Sequence, residues 1–230
     1  MDRYIKHINF ENIGISGQEK LLSSSIIIIG AGGLGASFAN YFVRSGIGNI
    51  KIVDKDNVEL SNLQRQCIYD ETDLGKPKAL CALEKLKKVN SQISIQAEVL
   101  EFNSQNAKEL IKDYDLVIDA TDNFSTRFII DDICFELKKP WVFTGVLGAV
   151  AQTMLIDYPN TKRLSDIVPV NTATSKIEPL SSSSVLFPAV SAISAMASLL
   201  CIKYLIGKDY ERNTMLVFDL WNNTFKKIKF

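Results

Sequence analysis

The sequence predicts an α/β protein built on a Rossmann-like, doubly wound and mostly parallel sheet, closed by antiparallel strands at the C-terminus. Three observations carry that expectation. Ile26 to Ile29 is a continuous β-branched run that stops at glycine, the mark of a strand buried on both faces. Short apolar runs recur at 50–53, 116–120 and 141–144 with helical patterns between them, as right-handed crossovers between parallel strands require. The first strand turns through Gly30-x-Gly32-x-x-Gly35 into a helical stretch, the junction at which sheets of this class bind ligands.

Taken in order, residues 1–22 read as an N-terminal arm with a short helix, followed by the strand at 26–29. A helix over Ala36–Ser45 ends at Gly46, and Ile50–Val53 forms a strand that stops at Asp54. Pro77 suits the first turn of a helix running through Val89. Ile93–Leu100 alternates as a strand, Gln105–Lys112 is helical and Leu116–Ala120 is again a buried strand. Ser125 caps a helix through Leu137, and Trp141–Thr144 is the next strand. Beyond Gly148 the rhythm changes. Gln152–Ile156 reads as a strand, whereas 157–184 is rich in Pro, Ser, Thr and Asn and too long for a simple connection; loops of that length are functional lids or disordered. A long helix follows, and Met215–Phe218 with Thr224–Phe230 make an antiparallel pair around Asn222-Asn223. No repeat divides the chain, and residues 1–230 are expected to form a single domain.

Composition removes several classes of function. Lysine plus arginine and aspartate plus glutamate both number 26, so no global field recruits nucleic acid or an anionic membrane. Cys67, Cys81, Cys134 and Cys201 are widely spaced and His7 is the sole histidine, which argues against a zinc site. Two of the cysteines fall in apparent helices, as small buried hydrophobes of a reducing compartment do. The N-terminus lacks an apolar signal core, so a cytoplasmic location is expected. Ser181–Ile202 carries no charge over 22 residues and is long enough to cross a bilayer. Pro188 and a serine row at 191, 194 and 198 favour instead a buried helix at the core or at a subunit interface.

The chemistry-bearing residues cluster on the expected carboxyl edge of the sheet. Gly30 permits the tight turn, Gly32 and Gly33 let a phosphate or ribose approach the backbone, and Gly35 allows close packing of helix on strand. Asp54, with Asp56 two residues on, stands where a carboxylate accepts hydrogen bonds from ribose hydroxyls. The glycines and Asp54 alone do not separate a dinucleotide from ATP. Asn62, Arg65, Gln66 and Lys78 do, because a hydride-transfer enzyme has no task for cations beside its ribose carboxylate. An enzyme that expels pyrophosphate needs them, to stabilise charge accumulating on the leaving group. Asp119-Ala-Thr-Asp122-Asn123 closes the strand at 116–120; Asp122 suits a magnesium ion held with phosphates, and Asp119 a structural or supporting role. The serines at 181–184 lack a histidine to activate them and read as a polar loop.

These residues resemble a known family. Gly30-Ala-Gly-Gly-Leu-Gly35, Asp54-Lys-Asp56, Ser61-Asn-Leu-Gln-Arg-Gln66, Gly75-Lys-Pro-Lys78 and Asp119-Ala-Thr-Asp-Asn123 look like the adenylation domain of the ubiquitin-activating (E1-like) superfamily, specifically its ThiF/MoeB/HesA-type adenylyltransferases. The resemblance implies a homodimer that uses Mg-ATP to convert the C-terminal carboxylate of a ubiquitin-like sulfur-carrier protein, or of a peptide, into an acyl-adenylate with release of pyrophosphate. It further implies that Gly30, Gly32, Gly33, Gly35, Asp54, Asp56, Asn62, Gln66 and Asn123 bind the nucleotide, that Arg65 and Lys78 act on the phosphates, and that Asp122 holds magnesium. An arginine that the family sends across the dimer is replaced here by Lys6, in Arg3-Tyr4-Ile5-Lys6-His7. The family's zinc-binding cysteine pairs have no counterpart, the first falling at Lys162–Ser165, and 178–184 lacks the cysteine that some relatives use for thioester or persulfide chemistry. Adenylation needs neither. The alternatives are a catalytically weak nucleotide-binding partner subunit of an active relative and a nicotinamide-dependent dehydrogenase.

Overall fold

Eight strands among the described residues, β1 (Ser25–Ile29), β2 (Asn49–Val53), β3 (Ser94–Glu98), β4 (Leu116–Asp119), β5 (Trp141–Leu147), β6 (Val150–Ile156), β7 (Thr214–Asp219) and β8 (Thr224–Lys229), join in one sheet of order β3-β2-β1-β4-β5-β6-β7-β8. The structure is a computed structural model that describes residues 1–168 and 184–230. From β3 to β5 every neighbouring pair is parallel, and from β5 to β8 every pair is antiparallel.

The isoleucine run shows why β1 is central. Ile26 and Ile28 enter a core that includes Phe38, Phe42, Ala79, Leu86, Ala197 and Cys201, while Ile27 and Ile29 enter a second with Leu110, Ile111, Ile130, Cys134 and Leu164. All four are essentially inaccessible to solvent, and each contributes about 1.5–3 kcal/mol by leaving water. Helices therefore cover both faces. On the first lie α2 (Gly14–Ser23), α3 (Gly33–Ser45), α4 (Lys78–Val89) and the long α8 (Phe187–Leu205); on the second lie α5 (Ala107–Ile111), α6 (Phe124–Leu137) and the short α7 (Leu164–Ile167). A further short helix, α1 (Ile5–Ile8), belongs to the N-terminal arm.

Several boundaries differ from expectation, each for a local reason. The helix expected from Ala36 begins at Gly33, because Gly32 takes the N-cap position and the glycines continue as the first turn. Asn123, not Ser125, caps α6: its side chain accepts from Thr126 N at 2.9 Å, and Ser125 instead donates its hydroxyl to Asn123 at 2.7 Å. β5 runs on past Thr144 to Leu147 because β6 pairs with it residue by residue through Leu147↔Val150. In the stretch expected to be an unstructured loop, α7 is held by buried Asp131, which accepts from the Leu164 and Ser165 amides, while Arg163 pairs with Asp131 and Asp132 and stacks on Phe135. Residues 169–183 of that loop, including Ser181 to Ser183 and most of the cysteine-free run at 178–184, lie outside the described residues.

The uncharged stretch corresponds to α8, which is long and apolar enough to cross a membrane by itself. Here it packs on α3, β5 and β6, burying Ala189, Val190, Ile193, Ser194, Ala197, Ser198 and Cys201. The opposite side leaves Ala195 and Leu199 exposed. Three cysteines rather than two are helical and buried (81, 134 and 201), and Cys67 is exposed.

Candidate functional site

The ends of β1, β2 and β4 open into a cleft of ≈ 440 Å³, within the range of small-molecule sites. It lies where the connections from the neighbouring strands β1 and β4 depart to opposite faces, the position at which open α/β sheets bind ligands. Gly30, Gly32, Gly33, Asp54, Asp56, Asn62, Arg65, Gln66, Lys78, Asp122 and Asn123 all line it.

The glycines divide by task. Gly30 has φ +98°, and a Cβ there would stand 2.7 Å from the Ala120 carbonyl oxygen of the neighbouring strand end. A Cβ on Gly35 would stand 2.0 Å from the carbonyl oxygen of Gly30, so this glycine serves helix packing and does not line the cleft. Gly32 is different. The nearest protein atom to a Cβ there is Gln66 Nε2 at 3.7 Å, an ordinary contact, so the fold itself does not demand glycine at this position. The open backbone at the start of α3 is left facing the cleft, as an anion held by helix N-terminal amides requires.

Asp54 is fixed by the backbone on both sides. Its Oδ2 accepts from Ala31 N at 2.6 Å and its Oδ1 from Asp56 N at 2.7 Å, which orients the carboxylate and leaves lone pairs for further donors. Burial pushes its pKa up, against the pull of those two amides and of Lys78. Lys78, 7% exposed at the first turn of α4, donates Nζ to Asp56 at 3.1 Å. Arg65 is half-exposed, and one guanidinium nitrogen donates to the Ser61 carbonyl at 3.0 Å, anchoring the base of the fork. Asn62 is buried, its Oδ1 accepting from Glu59 N. Gln66 is buried too, with no hydrogen-bond partner for its Oε1. Asp122 is exposed on the cleft wall; its Oδ1 takes a long 3.4 Å hydrogen bond from Asn123.

Asp119 lies behind Asp122 and is fully buried. Arg127 Nε donates to it at 3.1 Å, and the Thr121 amide and hydroxyl donate as well. Arg127 also donates to the Thr121 and Thr144 carbonyls and sits between the Phe124 and Phe143 rings, so it ties the loop bearing Asp122 to β5. Sequence reasoning missed Arg127, although an arginine one turn into a helix that opens at Asp122-Asn123 was a usable signal. It also missed Leu100 and Phe102, which wall the cleft beyond β3, and Tyr69, whose hydroxyl lies 2.8 Å from the Ala31 carbonyl. Lys6 is exposed on α1 and does not line the cleft of its own chain. No cluster of three or more metal-ligating side chains occurs among the described residues.

The ThiF family model matches residues 4–230. The chain belongs to the ThiF family. Among its ThiF-type relatives, the sulfur carrier protein ThiS adenylyltransferase of Bacillus subtilis is 35% identical over 232 residues, covering 99% of this chain and 67% of that protein. A sulfur carrier protein adenylyltransferase of Thermus thermophilus is 39% identical over 159 residues, 69% of this chain and 59% of that protein. An adenylyltransferase and sulfurtransferase MOCS3 of Culex quinquefasciatus is 33% identical over 228 residues, with 52% of its length matched. The chain thus spans about half to two-thirds of the length of these ThiF-type relatives. Among solved structures, MccB of E. coli superposes with a TM-score of 0.87 at 21% identity, covering the whole of this chain and 72% of that one, a likeness of fold.

Proposed function

We propose that this protein is an ATP-dependent adenylyltransferase acting on the C-terminal carboxylate of a ubiquitin-like sulfur-carrier protein or of a peptide. One observation carries the reading: a ribose-type carboxylate, Asp54, shares a single cleft with a guanidinium, an ammonium and a second carboxylate, those of Arg65, Lys78 and Asp122. Asp54 would accept from the ribose hydroxyls, and the open amides at Gly32 and Gly33 would cradle phosphate. Asn62, Gln66 and Asn123 complete the polar wall around it.

An acceptor carboxylate oxygen attacks the α-phosphorus, a new C–O–P linkage forms, and the bond from the α-phosphorus to the bridging oxygen breaks. Pyrophosphate leaves with that electron pair. Arg65 and Lys78 are fixed positive charges where this negative charge develops, the electrostatic arrangement that lowers such barriers most. The donor chemistry also fits magnesium: Asp122 presents a hard carboxylate oxygen, and magnesium is commonly held by one or two carboxylates together with phosphate oxygens and water. When bound, it would offset phosphate charge.

The names of the sulfur-carrier relatives support a carrier protein as acceptor, and the MccB structures in complex with MccA support a peptide. A homodimer joined through the exposed apolar side of α8 would let Lys6 of one copy serve the other. Four free cysteines accord with a cytoplasmic setting, and zero net charge with neither nucleic acid nor membrane as partner.

The test is ATP–pyrophosphate exchange against a panel of carrier-protein tails and peptides. Exchange is expected with one acceptor class and should fall about 100-fold or more in Arg65→Ala. Silence across the panel with ATP still bound would favour the partner-subunit reading instead.

A further inference from the structure

Tyr69 is absent from the residues assigned a role above, yet its hydroxyl closes a circuit of hydrogen bonds around the cleft. Ala31 N donates to Asp54 at 2.6 Å, and Asp56 N donates to the other oxygen of Asp54 at 2.7 Å. Asp56 in turn receives Lys78 twice, its carbonyl from Lys78 N at 2.9 Å and its carboxylate from Lys78 Nζ at 3.1 Å. The Tyr69 hydroxyl spans the remaining gap, 3.2 Å from the Lys78 carbonyl and 2.8 Å from the Ala31 carbonyl. Its ring is 6% exposed and packs in the core with Ala31 and Ala79, so core packing sets where the hydroxyl stands.

We infer that Tyr69 is a positioning residue, locking the glycine turn after β1 to the lysine that meets the phosphates. It touches no substrate itself and acts through Lys78, with the Ala31 carbonyl as its anchor. The physical case is one of reach. Lysine side chains carry several freely rotating bonds, and a phosphate contact made by Lys78 is productive only if α4 keeps its distance from β1. The two elements are otherwise joined at the cleft through the loop after β2, by Asp54 and Asp56 and by the backbone pairing of Val58 with Gly75 and Lys76, and the outer carboxylate of that loop, Asp56, is 55% exposed. The buried phenol is the stiff side of the ring. A hydroxyl has one proton, so the bond to Ala31, the shorter, is the principal one and the Lys78 carbonyl shares it.

This inference rests on the nucleotide-site reading, and binding measurements separate the two. ATP and AMP affinities are measured calorimetrically on the full chain for the unaltered protein, Tyr69→Phe, Lys78→Ala and the double variant, with melting temperatures alongside. Tyr69→Phe keeps the ring, and its melting temperature should stay within a few degrees. It should weaken ATP about three- to tenfold, the range of one lost internal hydrogen bond, and weaken AMP less, since Lys78 serves the outer phosphates. In the Lys78→Ala background the same substitution should change ATP affinity less than about twofold, because a residue acting through Lys78 has nothing left to position. Full additivity of the two losses, or equal loss for ATP and AMP, would overturn the assignment and leave the function reading standing. No ATP binding by the unaltered chain would overturn both.

Discussion

Asp54 sits at the end of a buried strand, and burial raises its pKa from the ordinary aspartate value even though two amides and Lys78 favour the charged form. Ribose hydroxyls bind the ionised carboxylate. Nucleotide affinity should therefore be full at neutral pH and fall on acidification through that raised pKa, at a higher pH than an exposed aspartate would give. Calorimetric titration of ATP from about pH 3.5 to about pH 8, a window that begins below the ordinary aspartate value of about 3.9, checks this, and Asp54→Asn should flatten the profile. An unchanged profile in that variant would move the titration elsewhere. Asp119 is the contrasting case. Also buried, it is neutralised by Arg127, and that pair supports the loop before Asp122 from behind.

At the scale of elements, the β1–α3 turn separates glycine needed by the fold from glycine kept for a ligand. Gly35→Ala would drive a methyl group into the Gly30 carbonyl and should destabilise the chain severely with or without nucleotide. Gly32→Ala meets no close protein atom, so its cost should stay within about 1 kcal/mol, the scale of changing an N-cap residue. Its ATP affinity should nevertheless drop sharply. Paired melting curves, with and without ATP, distinguish the two; comparable losses of stability would mean that Gly32 too is a folding residue. α8 shows a division of its own along one helix, its serines 194 and 198 buried while Leu199 remains 50% exposed.

For the whole molecule, the cleft's mixture of cations and carboxylates should select ATP over a nicotinamide dinucleotide. Saturating ATP at 100 times its dissociation constant should add about 2.7 kcal/mol of stability, while NAD at the same concentration should add little. Protection by NAD alone would return the chain to the dehydrogenase alternative. Sedimentation in the same buffer reports whether two copies associate, as a trans role for Lys6 requires, and Leu199→Glu should dissociate them.

Much of this was legible in the sequence because it depends on local pattern. Continuous β-branched runs forced the central strands, glycine spacing marked the turn, and the motif residues from Gly30 to Asn123 named for the nucleotide line one cleft, Gly35 excepted. The helix caps were less legible: Asn123 and Ser125 are both good cap residues two positions apart, and only backbone geometry chooses between them. Tyr69 carried no such signal, and Arg127 only its position one turn after Asp122-Asn123. Their roles consist of reaching carbonyls on other strands and turns, Ala31 and Lys78 for one, Thr121 and Thr144 for the other. Side-chain shape and hydrophobic period thus fix the central strands and most of the helices from local pattern, and motif spacing marks the residues that bear the chemistry. Which buried polar groups brace that chemistry was decided only by the tertiary structure, because a hydrogen bond between distant segments exists only once packing has set their distance.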